Sequence, residues 1–188
     1  MIVYLHGFNS SPNSAKARAL EEYLEKRRSA AQFACPQLPP GPDAAIATIE
    51  AELACHASPI TLVGSSLGGF YATWFAEKRG LRAVLINPAV EPHADLRAHL
   101  GPQQGFHGGA SYELTEDYLR QWEKLCLDEV HPTRYFLLVE TGDEVLDYRI
   151  AVAKYRGARQ KVVQGGDHSF ASFSEHLPLI LEFAEPSV

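Results

Sequence analysis

The chain has 188 residues, of which 46% are hydrophobic and 21% charged, and a formal net charge of −6 at pH 7. A chain this long buries roughly 70% of its unfolded surface in one core, and so balanced a composition excludes disordered, collagen-like and coiled-coil architectures. With 17 Lys+Arg against 23 Asp+Glu and no basic run, nothing marks a nucleic-acid partner.

No stretch approaches the ~18–20 apolar residues of a membrane span. A first strand starting at Ile2 leaves no room for a signal peptide, and a cytoplasmic protein is expected. Cys35, Cys55 and Cys126 are odd in number, far apart and without a CxxC pair, which speaks against a disulfide framework or zinc site, and they read as three small buried hydrophobes in a reducing compartment.

Short apolar runs alternate with longer amphipathic ones. Ile2–Leu5 (IVYL) reads as a buried strand. Ser11-Pro12 resembles an N-cap with proline in the first helical position, opening a helix with Ala17, Leu20 and Leu24 inside. A weak strand at Gln32–Cys35 ends in a proline-rich turn over 36–42. Asp43 then caps a helix with Ile46, Ile49 and Leu53 at helical spacing. A third strand spans Ile60–Gly64, a helix carries Phe70, Tyr71, Trp74 and Phe75, and a fourth strand, Ala83–Ile86, stops at Asn87-Pro88.

Residues 88–131 break the pattern. They are glycine-rich over 101–109, hold His93, His99 and His107, and carry one helix at about Glu116–Asp128. A fifth strand (Tyr135–Val139), a helix near Leu146–Tyr155 and a sixth strand (Lys161–Val163) follow, and the last helix is predicted to start near Pro178, which suits a first turn. Strands alternating with helices predict one domain over 1–188 with a parallel sheet covered on both faces, and functional groups at the C-terminal strand edge.

On that edge lies Gly64-Ser65-Ser66-Leu67-Gly68, a G-x-S-x-G motif directly after a strand and before a helix. A serine presented on so tight a turn leaves no room for side chains two positions away, hence glycine at 64 and 68. Ser66 also sits at a helix N-terminus, which favours developing negative charge. A serine nucleophile needs a base and an orienting acid. His168 follows the sixth strand and Asp143 the fifth, giving the order Ser…Asp…His with each after a different strand. Asp147, Glu144 and Glu91 are rival acids. The backbone N–H groups of Leu67 and Phe8 are the candidate oxyanion donors, and His6 is read as pinning the Phe8 loop by hydrogen bonding.

Leu5-His6-Gly7-Phe8, Gly64–Gly69 (GSSLGG), Gly142–Val145 (GDEV) and Gly166-Asp167-His168 together resemble the α/β-hydrolase fold. More narrowly, YLHGFNSSP, GSSLGGFYATW, INPAV, TGDEVLDY and GGDHSF resemble the small YqiA-like bacterial esterases, over most of the chain. The first strand resembles the fold's third, which leaves a three-layer α/β arrangement around six mainly parallel strands in the order 2-1-3-4-5-6. The resemblance implies a serine hydrolase acting on small-molecule carboxylic esters or thioesters without metal or organic cofactor. It also implies Ser66 as nucleophile, Asp143 as acid and His168 as base.

Segment 88–131 is read as a lid or pocket wall, with Phe106, Tyr112, Tyr118 and Trp122 as candidate pocket residues. Leu114, Tyr118 and Trp122 suit packing a helix onto the sheet equally well, and apolar surface on this segment suits a homodimer as well as a substrate. The spacing of His93, His99 and His107 puts no two on one helical face, against a metal site. Two other readings stay open: a C–C bond hydrolase or perhydrolase on the same machinery, and a scaffold with a relic triad.

Overall fold

Six of the apolar runs pair side by side in the computed structural model, which describes residues 1–27, 31–57, 59–105 and 111–185. The strands are β1 (Ile2–Leu5), β2 (Phe33–Ala34), β3 (Thr61–Ser65), β4 (Arg82–Ile86), β7 (Tyr135–Glu140) and β8 (Arg159–Val163). Their order is β2-β1-β3-β4-β7-β8 and every pairing is parallel. This is the expected order once a small hairpin between β4 and β7 is set aside. Covered on both faces, the central strands are unbroken apolar runs: all residues of β1, β3 and β7 are buried.

Alternate strand residues feed two cores. Val3, Leu5, Leu62, Leu85 and Leu137 pack against α2 (Pro42–Ala54), α3 (Leu67–Arg79), α5 (Glu116–Leu125) and α6 (Tyr148–Lys154). Ile2, Tyr4, Val63, Val84 and Phe136 face α1 (Ala15–Lys26) and α7 (Phe173–Ala184). The result is three layers, helix–sheet–helix. Among the described residues no helix is long and apolar enough to cross a membrane.

Three helix starts differ from expectation: α2 begins at Pro42 with Gly41 at its N-cap position, which places Asp43 in the first turn and not at the cap. Helix α1 begins at Ala15, because Ser11 is consumed by a turn: its Oγ accepts from the Asn13 N–H at 3.2 Å and its carbonyl from the Ser14 N–H at 3.0 Å. Helix α7 begins at Phe173, five residues before Pro178, which lies inside it. Phe173, Leu177, Ile180 and Leu181 are all buried on one face, and about 1.5–3 kcal/mol for each large side chain outweighs the ~3 kcal/mol cost of an interior proline.

Segment 88–131 holds more order than its glycines imply. A short helix, α4 (Pro92–Asp95), precedes β5 (Gly101–Gln104) and β6 (Ser111–Leu114), which form an antiparallel hairpin. The hairpin is held by its contacts to the loop after β1, described below.

Candidate active site

The turn between β3 and α3 carries a strained residue. Ser66 has φ +54° and ψ −123°, a conformation that non-glycine residues rarely adopt. Its N–H donates to the Ile86 carbonyl at 3.0 Å, and its own carbonyl accepts from the Gly69 and Ala89 N–H groups at 2.9 and 3.1 Å. These bonds hold the turn in a shape its dihedrals disfavour. A Cβ on Gly64 would run into the backbone of Gly68 and Gly69, and one on Gly68 into the carbonyls of Leu5 and His6. Both glycines are therefore required by close backbone approach.

His168 reaches this serine from the loop after β8. Its Nε2 is 3.1 Å from Ser66 Oγ, and its Nδ1 lies 2.9 and 3.0 Å from the two carboxylate oxygens of Asp143. The Asp143 side chain is 1% exposed, and its Oδ1 also accepts from the N–H groups of Val145 and Leu146 at 2.9 and 2.8 Å. Burial pushes its carboxyl pKa upward, but the bonds from His168, Leu146 and Val145 outweigh that and hold it below the ordinary aspartate value. None of the rival acids bonds the His168 ring. Asp147 caps α6 and pairs with Arg149, Glu91 occupies the position just before α4, and Glu144 accepts from the His168 backbone N–H at 3.0 Å. Hydroxyl, imidazole and carboxylate thus form one hydrogen-bonded series, which can draw the hydroxyl proton onto the ring and stabilise the cation formed.

Two residues that sequence reasoning missed hold the His168 loop. Asn87, at φ +39° after β4, accepts from the Glu140 N–H at 2.9 Å and donates to the carbonyls of Asp167 and His168 at 3.1 and 3.3 Å. Glu140 is 1% exposed. Its carboxylate accepts from the Asp167 N–H at 2.9 Å and from the N–H and hydroxyl of Ser172. A carboxylate closing the apolar run YFLLVE was the available signal, since a buried charge needs several donors.

The loop after β1 lies against the same turn. A Cβ on Gly7 would sit 3.2 Å from Ser66 Cβ. His6 Nε2 accepts from the Leu38 N–H at 3.0 Å, so its Nδ1 carries the proton and donates to the Gly7 carbonyl at 3.0 Å. The ring thereby ties this loop to the one after β2. Phe8 and Leu67 line a cleft of about 630 Å³ together with Ser66 and His168. Leu67 is the first residue of α3, so its N–H has no acceptor in the helix's own ladder.

A second cleft, about 500 Å³, lies beyond Phe8 and Asn9 and is lined by Leu38, Tyr71 and Tyr112 among others. Tyr112 packs edge-on to Phe8, with ring centroids 6.5 Å apart. Its hydroxyl donates to Asn9 Oδ1 at 2.6 Å, and Asn9 Nδ2 donates to Gln103 Oε1 at 3.2 Å. These bonds hold the β5–β6 hairpin to the loop.

Two other pocket candidates, Trp122 and Tyr118, lie elsewhere. Trp122 is fully buried in the core, its indole N–H donating to the Tyr71 hydroxyl at 2.8 Å. Tyr118 packs edge-on to Trp122 and beside Gly41. Neither lines either cleft. Both side chains follow the packing alternative because the inward face of α5 is needed to close the core over α2 and α3. Phe106 falls outside the described residues.

A six-stranded parallel sheet between two helix layers, with a strained serine after its third strand, defines the α/β-hydrolase fold. The chain belongs to an uncharacterised protein family, UPF0227, whose model matches residues 1–185. Among solved structures it is similar to alpha/beta hydrolase domain-containing protein 10 from mouse (TM-score 0.73, 18% identity, 96% of this chain and 87% of that one). It is equally similar to Est1E from Butyrivibrio proteoclasticus (TM-score 0.73, 16% identity, 97% and 87%). A monoacylglycerol lipase from Paleococcus ferrophilus follows (TM-score 0.66, 17% identity, 97% and 92%). At these identities the likeness is one of fold.

Proposed function

We propose that this protein is a serine hydrolase that cleaves carboxylic esters, thioesters included, through a covalent acyl-enzyme. The observation that carries the reading is His168, with one ring nitrogen 3.1 Å from Ser66 Oγ and the other against the Asp143 carboxylate. His168 takes the Ser66 proton as Oγ bonds to the ester carbonyl, and the oxygen that gains the electron pair turns to the N–H groups of Phe8 and Leu67. When the carbonyl re-forms, the bond to the alcohol or thiol breaks and His168 delivers the proton to it. Water, deprotonated by the same ring, then attacks the acyl-Ser66 ester; the acyl–Oγ bond breaks, Oγ takes the proton back from His168, and the acid is released. Asp143 keeps Nδ1 protonated and stabilises the imidazolium without itself taking a proton.

The name of one structural relative, a monoacylglycerol lipase, agrees with ester cleavage. The β5–β6 hairpin fits a pocket wall, because Tyr112 meets Phe8 and Asn9 at the edge of the Ser66 cleft.

The direct test is turnover of 4-nitrophenyl butyrate by the wild type and by Ser66→Ala. The variant should retain the wild-type circular dichroism spectrum and lose activity by about 10³-fold or more. A folded Ser66→Ala variant as active as the wild type would end this reading.

A further inference from the structure

The backbone N–H of Phe8 belongs to a turn that is anchored at both ends, and one anchor is the β5–β6 hairpin. Gly7, Phe8, Asn9 and Ser10 form the turn, closed by the Ser10 N–H donating to the Gly7 carbonyl at 3.3 Å. The same carbonyl accepts from His6 Nδ1 at 3.0 Å. It shares a planar trans peptide with the Phe8 N–H, so holding the oxygen on one side points the N–H to the other. Among the described residues nothing accepts from the Phe8 N–H. Gly7 lies so close to Ser66 that an added Cβ would sit 3.2 Å from the serine Cβ. The turn therefore carries an unused donor beside the serine.

The second anchor is Asn9, which holds φ at +53°. Its side chain spans to Gln103 and Tyr112, which face each other directly across the two hairpin strands. Three hydrogen bonds run in one direction. The Tyr112 hydroxyl donates to Asn9 Oδ1 at 2.6 Å, Asn9 Nδ2 donates to Gln103 Oε1 at 3.2 Å, and Gln103 Nε2 donates to the His99 carbonyl at 2.6 Å. The last bond commits the Gln103 amide, so the Asn9 amide satisfies both partners in one orientation only. Gln103 and Tyr112 are half-buried, whereas Pro102, Gln104, Ser111 and Glu113 beside them are exposed, so the hairpin turns this pair inward. The clasp straddles the ridge between the clefts: Asn9 lines both, Tyr112 one and Gln103 the other.

We propose that Asn9 is a positioning residue for the oxyanion donor, and that the hairpin, through its Tyr112–Asn9–Gln103 clasp, sets the aim of the Phe8 N–H. The inference rests on the serine-hydrolase reading. An oxyanion donor acts only over a narrow range of distance from the oxygen that becomes negative. With its Asn9 anchor released, the turn is free to rotate the Gly7–Phe8 peptide and carry the N–H off that line. The uncharged ester is held by the walls of the clefts, so the loss falls on the transition state and not on ground-state binding.

Two variants test this. Tyr112→Phe removes one hydroxyl and keeps the ring against Phe8, and Asn9→Gly removes the clasp while leaving positive φ accessible. Each is compared with wild type in hydrolysis of 4-nitrophenyl butyrate and in inhibition by 1,1,1-trifluorodecan-2-one and by decan-2-one. Ser66 Oγ adds to the trifluoromethyl ketone carbonyl as its proton passes to His168, and the hemiketal oxygen takes the place of the oxyanion. Decan-2-one stays a ketone and reports on the clefts alone. In both variants kcat and kcat/KM should fall together by about tenfold, a part of the roughly 10²–10³-fold lost with a whole donor. The trifluoromethyl ketone should bind about tenfold more weakly and decan-2-one as before. Wild-type kcat in either folded variant would overturn the inference. So would equal weakening of the two ketones, which would make the hairpin a pocket wall only. Fluorophosphonate labelling of Ser66 is measured on the same wild-type preparation, and a folded protein that takes no probe would instead overturn the serine-hydrolase reading itself.

Discussion

Asn87→Ala is expected to loosen the loop that carries His168 without touching the reacting groups. In the native chain the Asn87 Oδ1 accepts from the buried Glu140 N–H at 2.9 Å, and its Nδ2 donates to two loop carbonyls at 3.1 and 3.3 Å. Alanine leaves the Glu140 N–H without an acceptor, which costs about 1–3 kcal/mol. It must also hold φ at +39°, where a residue with a Cβ and no local hydrogen bond loses about 1–2 kcal/mol relative to asparagine. The loop carbonyls lie nearer solvent and contribute less. The sum is about 3 kcal/mol, or roughly 6–12 °C in Tm for a chain of this size. Urea denaturation followed by tryptophan fluorescence reads the stability, and the acylation rate of Ser66 reads the site. Asn87→Ala should lose about 3 kcal/mol at unchanged m-value and slow acylation. A variant within about 0.5 kcal/mol of wild type and equally fast would refute the assignment of Asn87 as a positioning residue.

Gly68→Ala should destabilise by about 3 kcal/mol or more, because the added methyl meets rigid backbone at Leu5 and His6 and not a movable side chain. A urea midpoint equal to wild type would contradict the close approach. His6 is held neutral: burial lowers its pKa, more than the Gly7 carbonyl raises it. The folded ring therefore refuses a proton that the unfolded chain accepts at its ordinary value of 6.5, and stability contributed through His6 declines as pH falls through 6.5 toward the lower folded value. An NMR titration of the His6 ring should give a midpoint below 6.5, and one at or above it would show that the Leu38 N–H bond to Nε2 does not hold.

Much of the architecture is legible because its causes are local. IVYL, TLVGS and RAVLI are short, apolar and bounded by turn residues, and a strand buried on both faces needs no more than that. Gly64 is legible for a similar reason, since the collision it avoids lies within five residues, whereas the collision avoided at Gly68 is with the distant Leu5 and His6. Asp143 and His168 each follow a strand, so the topology alone brings them to one edge of the sheet.

What was not legible depends on competing local turns or on distant partners. Ser11 offers a good local cap, yet the turn it forms with Asn13 and Ser14 delays the helix. Pro178 is a good local start signal, but burial of Phe173 extends α7 backward across it. The β5–β6 hairpin is joined to the loop after β1 by Asn9 bonds to residues 94 and 103 positions away. Asn87 and Glu140 look like a strand stop and a strand end. Their partners in the His168 loop lie 80 and 27 positions along the chain.

The central claim, that Ser66 is activated by His168 and Asp143, is tested most directly by fluorophosphonate labelling followed by intact mass and peptide mapping. Such a probe reacts rapidly only with a serine that has a working base and oxyanion donors, so no guess about substrate enters. The expected result is one adduct on Ser66, absent from Ser66→Ala and strongly slowed in His168→Ala. No adduct on the folded wild-type protein, or labelling that survives loss of Ser66 at the same rate, would contradict the claim.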